Sequence, residues 1–369
     1  MIERIFHSIG QGAFYSERHE NFNIVYDCGN WRNTKLADKI VAQAFSEGET
    51  IDLLFISHFD YDHVNKISTL KKHAKIKKVI MPLLYDDEKT LLINLYRALN
   101  FNILTIVENP QDFFGDETQV ITVIPSENNE GPIGENIEPI DVDSLRNSQI
   151  KSGTVLKKNH RCDWIFIPYN YYYQQRHQEL IELLSKHGFN IRQLKSNVNY
   201  TVGITKYEQK QIKNIYNKVS GNINQNSMLL YSGVYQVNNN NKMVAFRFFR
   251  SNCCCKNFCN CHHLGMCETQ RVSCIYTGDT NLNIVKISTI FKNFWKSVGT
   301  IQIPHHGDIK CFDQSILDKK NYCCPISVGE KNSYGHPSYK VIAKILRQRS
   351  CPILVTENTS SGFIEVIRC

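Results

Sequence analysis

A four-layer αββα sandwich of the α/β (α+β) class, carrying insertions, is the fold this sequence predicts. Two observations predict it. Over the first 125 residues short apolar strands alternate with helical stripes, the order in which a sandwich with helices on its outer faces is laid down along a chain. The strand ending Leu53, Leu54, Phe55 then breaks into a loop, residues 56 to 65, that places His58, Asp60, Asp62 and His63 within six positions. Two imidazoles and two carboxylates aimed near one point are more ligands than one cation needs. The stretch therefore reads as the nucleus of a two-metal site, against the plainer alternative of a polar loop that caps a helix.

The elements follow in order. Residues 3 to 7 and 22 to 27 read as strands joined through the Gly10, Gln11, Gly12 turn, the first pair of a β-layer. Asp27 closes the second strand, where an Asp commonly forms a turn. Thr34 to Phe45 carries Leu36, Ile40, Val41 and Ala44 at helical spacing, with Thr34 or Asn33 as its cap. After the strand to Ser57 and the ligand loop come a helix from about Val64 to His73 and a strand from Lys78 to Leu83. Glu88 to Leu99 reads as a helix, then Asn102 to Val107 and Gln119 to Pro125 as strands. Residues 126 to 160 form an irregular insertion, because 126 to 145 are rich in Glu, Asn, Gly and Pro with no period. Asp163 to Tyr169 resumes a strand, and Tyr171, Tyr172 and Tyr173 open a helix running to about His187. Asn238 to Asn241 is a hairpin turn before the strand Met243 to Phe249. The segment 252 to 270 interrupts what should be a hairpin between that strand and Val272 to Tyr276. Thr300 to Ile303 is a later strand.

Composition narrows the class. The chain of 369 residues is 42% hydrophobic with mixed charge, as globular proteins are, and long enough for one large domain or two small ones. No apolar run approaches the roughly 20 residues of a membrane helix, and the start lacks a signal-peptide core. A soluble, cytoplasmic protein without a membrane partner is expected. Lys and Arg number 43 against 35 Asp and Glu, a net +8 that suits an anionic substrate. Within the basic helical insertion 186 to 222 stand Lys186, Arg192, Lys195, Lys206, Lys210, Lys213 and Lys218. With the tyrosines at 169 to 173 they offer a basic surface with aromatic platforms for a nucleic-acid strand, or else a solvated helical face. Of the 14 cysteines, six crowd between Cys253 and Cys267 beside His262 and His263. Crowding of that kind favours metal over disulfides, so Cys255, Cys259, Cys261 and Cys267 are candidates for a structural zinc knuckle, although the spacing fits no common zinc-finger template.

The ordered motifs carry a family resemblance. His58-x-Asp60-x-Asp62-His63 resembles the His-x-His-x-Asp-His signature of the metallo-β-lactamase fold, with Asp60 in place of the second His, and is most similar to the ComEC-like (competence protein) hydrolase branch. Four further stretches agree in order: residues 9 to 12 leading to 26 to 29, Tyr276 to Thr280, Pro304 to Gly307, and Ser327 to Pro337. The Asn222 to Tyr231 stretch resembles the family's start of the second β-layer. The resemblance implies one such domain over 1–369 and a role for Asp27 in orienting the metal loop. It implies two divalent ions, manganese or zinc, held by His58, Asp60, Asp62, His63, Asp279 and His305, with Asp279 bridging.

One of His305 and His306 then binds metal while its neighbour donates a hydrogen bond to substrate, and His336 is a ligand or a general acid. Asp62, His306 and His336 are the expected catalytic residues. A further His ligand found in many relatives has only His160, His177 and His187 as candidates here, none within a recognisable motif. Replacing an imidazole by the Asp60 carboxylate hardens the site toward manganese. The expected activity is a phosphodiesterase, a nuclease cleaving DNA by two-metal activation of water. A hydrolase of a small diester such as a cyclic nucleotide, or a metal-retaining binding or sensor module, are the alternatives. A restraining protein partner, in bacterial antiviral defence, is a further expectation.

Overall fold

The computed structural model describes residues 1–101, 104–126, 138–158, 163–172, 174–218, 226–235, 243–249 and 271–368. The cysteine-rich segment and the Asn238 to Asn241 turn lie outside them. The first half of the chain runs through β1 (Ile2–Phe6), β2 (Gly12–His19), β3 (Phe22–Asn30), α1 (Lys35–Ala42), β4 (Glu49–Phe55), α2 (Tyr61–Val64), α3 (Ile67–His73), β5 (Ala74–Pro82), α4 (Asp86–Ala98), α5 (Leu104–Glu108), α6 (Pro110–Phe114) and β6 (Gln119–Ile124). Short strands follow, β7 (Ile140–Asp141), β8 (Gln149–Lys151) and β9 (Leu156–Lys157), then β10 (Trp164–Tyr172). Next come α7 (Gln174–Lys186), α8 (Ile191–Ser196), α9 (Lys206–Lys218), β11 (Asn226–Val234), β12 (Val244–Phe249), β13 (Ser273–Tyr276), α10 (Ile287–Ile290) and β14 (Val298–Ile301). The last elements are β15 (Cys323–Ser327), α11 (Tyr339–Arg347), β16 (Cys351–Val355) and β17 (Phe363–Arg368).

Among the described residues the strands form two sheets, one of nine strands ordered β12-β17-β1-β2-β3-β4-β5-β6-β8 and one of eight ordered β16-β15-β14-β13-β11-β10-β9-β7. The central strands of each sheet, β3 and β4 in one and β10, β13, β14 and β15 in the other, are buried on both faces, which is why they read as near-continuous apolar runs. Side chains alternate along a strand, so Trp164 and Phe166 of β10 join the core between the sheets while Ile165 and Ile167 join the outer core with α10 and α11. Leu53 and Phe55 of β4 likewise face the sheet interface, and Leu54 packs outward under α1, α3 and α4. Helix, sheet, sheet, helix is the predicted four-layer order. Leu184, Leu194, Ile212 and Ile215 from α7, α8 and α9 join the same outer core as α4. No helix among the described residues is long and apolar enough to cross a membrane.

Four local expectations are corrected. A whole strand, β2, lies between the two strands expected to be joined by a turn, and it pairs with both; its polar Ser16, Glu17 and Arg18 hid the alternation. Residues expected to form a strand at 102 to 107 form α5 where described, because β6 already occupies the place beside β5 and no sheet edge is open to them. Tyr171 and Tyr172 end β10 instead of opening a helix, pairing with Ser227 and Asn226 of β11; aromatic side chains favour a pleated, half-buried surface. The strands β12 and β13 form no hairpin: β12 pairs with β17 in one sheet and β13 with β11 and β14 in the other.

A charged network is buried between the sheets. Arg4 of β1 donates to Glu17 of β2 at 2.7 Å and to Glu365 of β17 at 2.8 Å, and Arg247 of β12 also holds Glu365 at 2.8 Å. From the opposite sheet Ser232 and Tyr276 donate to Glu17 at 2.7 and 2.9 Å, and Thr300 to Glu365 at 2.7 Å. Burial alone would raise the Glu17 pKa, yet Arg4 and hydrogen bonds from His19 and Ser232 outweigh it and bring it from 4.5 to about 2. A carboxyl held below its unfolded value stabilises the fold above pH 4.5, and that contribution is lost as pH falls through about 2. Acid titration of unfolding should therefore show a slope in this window that Glu17→Gln flattens. Arg4→Met should cost about 3–5 kcal/mol in urea unfolding, because it leaves buried carboxylates uncompensated.

Candidate metal centre

The parallel strands β3, β4, β13, β14 and β15 direct their carboxyl ends to one edge of the sandwich, and the ligand-type side chains gather there. Asp27 stands near the end of β3 in the left-handed region, at φ 55°. Its carboxylate accepts from the Ser57 amide at 2.7 Å, the Ser57 hydroxyl at 2.6 Å and His63 Nδ1 at 2.8 Å. Ser57 Oγ also lies 2.7 Å from His58 Nδ1. A hydroxyl has one proton, and Asp27 only accepts, so Ser57 donates to Asp27 and accepts from His58 Nδ1–H. Both rings are thereby fixed with Nδ1 protonated and the Nε2 lone pair turned away from Asp27, the tautomer a metal-ligating histidine needs.

Those Nε2 atoms face carboxylates. His58 Nε2 lies 3.7 Å from Asp60 and 3.9 Å from Asp279; His63 Nε2 lies 3.2 Å from Asp279. His63 Nε2 is buried with no hydrogen-bond partner among the described residues. His306 repeats the arrangement, donating Nδ1–H to the Ser327 carbonyl at 2.8 Å with Nε2 3.0 Å from Asp62. Among the described residues three groups of donor atoms lie within 4.8 Å: His58, His63 and Asp279; Asp62, His63 and His306; and His305, Asp308 and Cys311.

The electrostatics fit cations between these donors. Asp60, Asp62 and Asp279 are all buried. Burial, then the charges of Asp62 and Asp279, push the Asp60 carboxyl up to about 8, although the Tyr96 hydroxyl donates to it at 2.9 Å. Burial opposes charge on His63, but Asp279 and Asp27 on either side outweigh it and raise its pKa, placing a proton where a cation would stand. A buried ring nitrogen without a partner beside crowded carboxylates is what a divalent ion resolves.

His305 and His306 are both left-handed, at φ 48° and 53°, and Gly307 follows at 81°. Each non-glycine residue in that region costs about 1 kcal/mol, and a Cβ at Gly307 would lie 2.7 Å from Pro337. This turn splits the two rings. His306 joins Asp62, whereas His305 Nε2 lies 3.7 Å from Asp279 and its Nδ1 lies 3.6 Å from both Asp308 and Cys311. His336 is half-buried with its ring centroid 5.7 Å from that of His305; burial and the imidazoles of His306 and His305 push its pKa down to about 4. The His336 ring is therefore neutral at pH 7.

Of the other candidates, His187 turns Nδ1 to its own helical carbonyl, Leu183, at 2.8 Å. His160, the His177 side chain and the four zinc-knuckle cysteines lie outside the described residues. Sequence reasoning missed Tyr96, Asp308, Cys311 and Ser327. Only Asp308 and Cys311 carried a signal, standing three and six positions after His305.

Two glycines let the loop lie on the sheet. A Cβ on Gly29 would meet the Asp62 carbonyl carbon and oxygen at 2.4 Å, and one on Gly12 the Gly29 oxygen at 2.3 Å. The backbone of α2 thus rests on β2 and β3 with no side chain between.

A family model described as Metallo-beta-lactamase superfamily matches residues 13–142, from β2 to β7, which include His58 to His63 but not Asp279, His305, His306 or His336. The match covers about a third of the chain, and the two-sheet sandwich of mixed α/β class is consistent with the fold that the family model describes. No curated protein matches the chain. Among solved structures 22 chains match. One is the metallo-beta-lactamase fold protein YhfI from Bacillus subtilis, at 7% identity and TM-score 0.38, covering 99% of this chain and 100% of that one. Another is human tRNase Z, short form, at 9% identity and TM-score 0.36, covering 96% and 92%.

Asp27→Asn removes an acceptor that orients His63, and metal affinity measured by calorimetry with Mn²⁺ or Zn²⁺ should fall about 10–100-fold. Gly29→Ala should displace α2 outward, costing about 1–3 kcal/mol of stability and most metal binding; unchanged affinity would show that the close approach does not shape the site.

Proposed function

We propose that the chain is a metal-dependent phosphodiesterase, a nuclease acting on DNA, with two divalent ions held by His58, Asp60, Asp62, His63, Asp279 and His305 or His306. The observation that carries this reading is the convergence of imidazole Nε2 atoms and three buried carboxylates at the carboxyl ends of strands from both sheets. His63 is common to two donor groups, and Asp279 lies 3.9 Å from His58, 3.2 Å from His63 and 3.7 Å from His305. Bound there, two ions would supply positive charge to the attacking and leaving oxygens of an in-line displacement at phosphorus.

The protein's own residues do the rest. Asp27 and Ser57 fix the ring tautomers, and Tyr96 holds Asp60 by its hydroxyl. His306 is fixed by the Ser327 carbonyl, so its ring has one orientation. His336, neutral and half-buried, presents an N–H to a non-bridging or leaving oxygen. Carboxylates outnumber those of an all-imidazole site, a donor balance that suits manganese at least as well as zinc.

The test is cleavage of linear and circular DNA, RNA and cyclic dinucleotides by purified protein with Mn²⁺, Zn²⁺ or Mg²⁺, beside Asp62→Ala/His63→Ala. Metal-dependent DNA cleavage is expected, with a loss of at least about 10³-fold in the double variant. Cleavage that survives in the variant would place the chemistry elsewhere, and cleavage of only the cyclic dinucleotide would replace the nuclease with a small-diester hydrolase.

A further inference from the structure

Two stretches of the chain are rich in lysine and poor in acids. In residues 64 to 85, Lys66 and Lys77 pair with Asp38 and Asp52; residues 186 to 218 hold seven Lys and Arg and one acid, Glu208, an excess of six. Glu208 accepts from the Thr205 amide and hydroxyl, both at 2.7 Å, and so is engaged at the start of α9. Lys195 pairs with Asp87 at 3.1 Å.

On α9 the charge is ordered. At about 100° per residue, Lys206, Lys210 and Lys213 fall within an arc of roughly 60°, and their cations follow each other by roughly 6 and 4.5 Å along the axis. Ile212 and Ile215, 0% and 1% exposed, lie on the opposite face and enter the core, whereas the three lysines are exposed. Tyr207, 71% exposed, stands beside the stripe. Burial of one face fixes the other outward, so the stripe is imposed by packing.

The same segment is anchored to the wall of the metal centre. Buried Asn94 of α4 donates to the carbonyls of Leu194 and Asn197 at 3.0 and 2.8 Å and accepts from the Thr201 amide and hydroxyl at 3.2 and 3.0 Å. Two positions on, and so about 200° around the helix, Tyr96 donates to Asp60. One helix, about 10 Å across with its side chains, separates the basic segment from the site.

We infer that the α9 lysine stripe with Tyr207 is a docking surface for single-stranded nucleic acid, its phosphates on Lys206, Lys210 and Lys213 and a base stacked on Tyr207. The inference rests on the phosphodiesterase reading for its choice of ligand. Cations alone would serve any nucleic acid; the exposed ring beside them selects a strand whose bases are free to stack.

The test measures fluorescence anisotropy of labelled dT20, U20 and a 20-base-pair duplex on the full chain carrying Asp279→Asn, across a series of KCl concentrations. Lys206→Gln/Lys210→Gln/Lys213→Gln should make the log–log salt slope for a single strand shallower by about 2, with its unfolding midpoint unchanged. Tyr207→Ala should weaken binding about tenfold, and Lys35→Gln/Lys39→Gln/Lys72→Gln should alter neither. Equal binding by the triple variant, binding of duplex alone, or no polymer bound would each overturn the inference. Hydrolysis of bis(p-nitrophenyl) phosphate by the unsubstituted chain judges the phosphodiesterase reading separately. If it proceeds while no strand binds, only the docking surface falls; if it fails while strand binding depends on the lysines, the surface stands and the hydrolase reading falls.

Discussion

Asp27 accepts hydrogen bonds from the amide and the hydroxyl of Ser57 and from His63, and the arrangement of the metal loop descends from those three contacts. Because a carboxylate cannot donate, it dictates the direction of the Ser57 proton, and through it the tautomer of His58. One buried anion at the end of a strand thus sets which nitrogen of two rings is available. The left-handed backbone at Asp27 turns the carboxylate toward the loop, a local strain held by the strands on either side.

The donors come from both sheets, so the sheets must be held in register with each other. His58, Asp60, Asp62 and His63 follow β4 of one, while Asp279 and His306 follow β13 and β14 of the other. Apolar contact between the sheets is non-directional. The Arg4, Glu17 and Glu365 network adds direction, because Glu17 takes hydrogen bonds from Ser232 and Tyr276 across the interface. A slip of one sheet past the other breaks bonds to a buried charge, and the metal donors keep their spacing as a result.

The layer order and the centre of the site were legible in the sequence because each had a short-range signal: alternation of strands and helices, and four ligand-type residues within six positions. What was hidden was set by long-range packing. β2 carries Ser16 and Glu17, polar in sequence but buried by partners that lie far along the chain, so its alternation could not be seen. Residues 104 to 108 have strand-like side chains and form a helix because β6 has taken the sheet position. Tyr96 is 36 positions from Asp60, and nothing local marks it. The adjacent His305 and His306 were legible as a pair, but their division between Asp279 and Asp62 follows from three successive left-handed residues.

Backbone resting on backbone at Gly12, Gly29 and Asp62 leaves the ligand loop no room to retreat toward the sheet. The height of the loop above β2 and β3 is therefore set by main-chain contact alone, and exchange of the side chains that line the loop leaves that height unchanged.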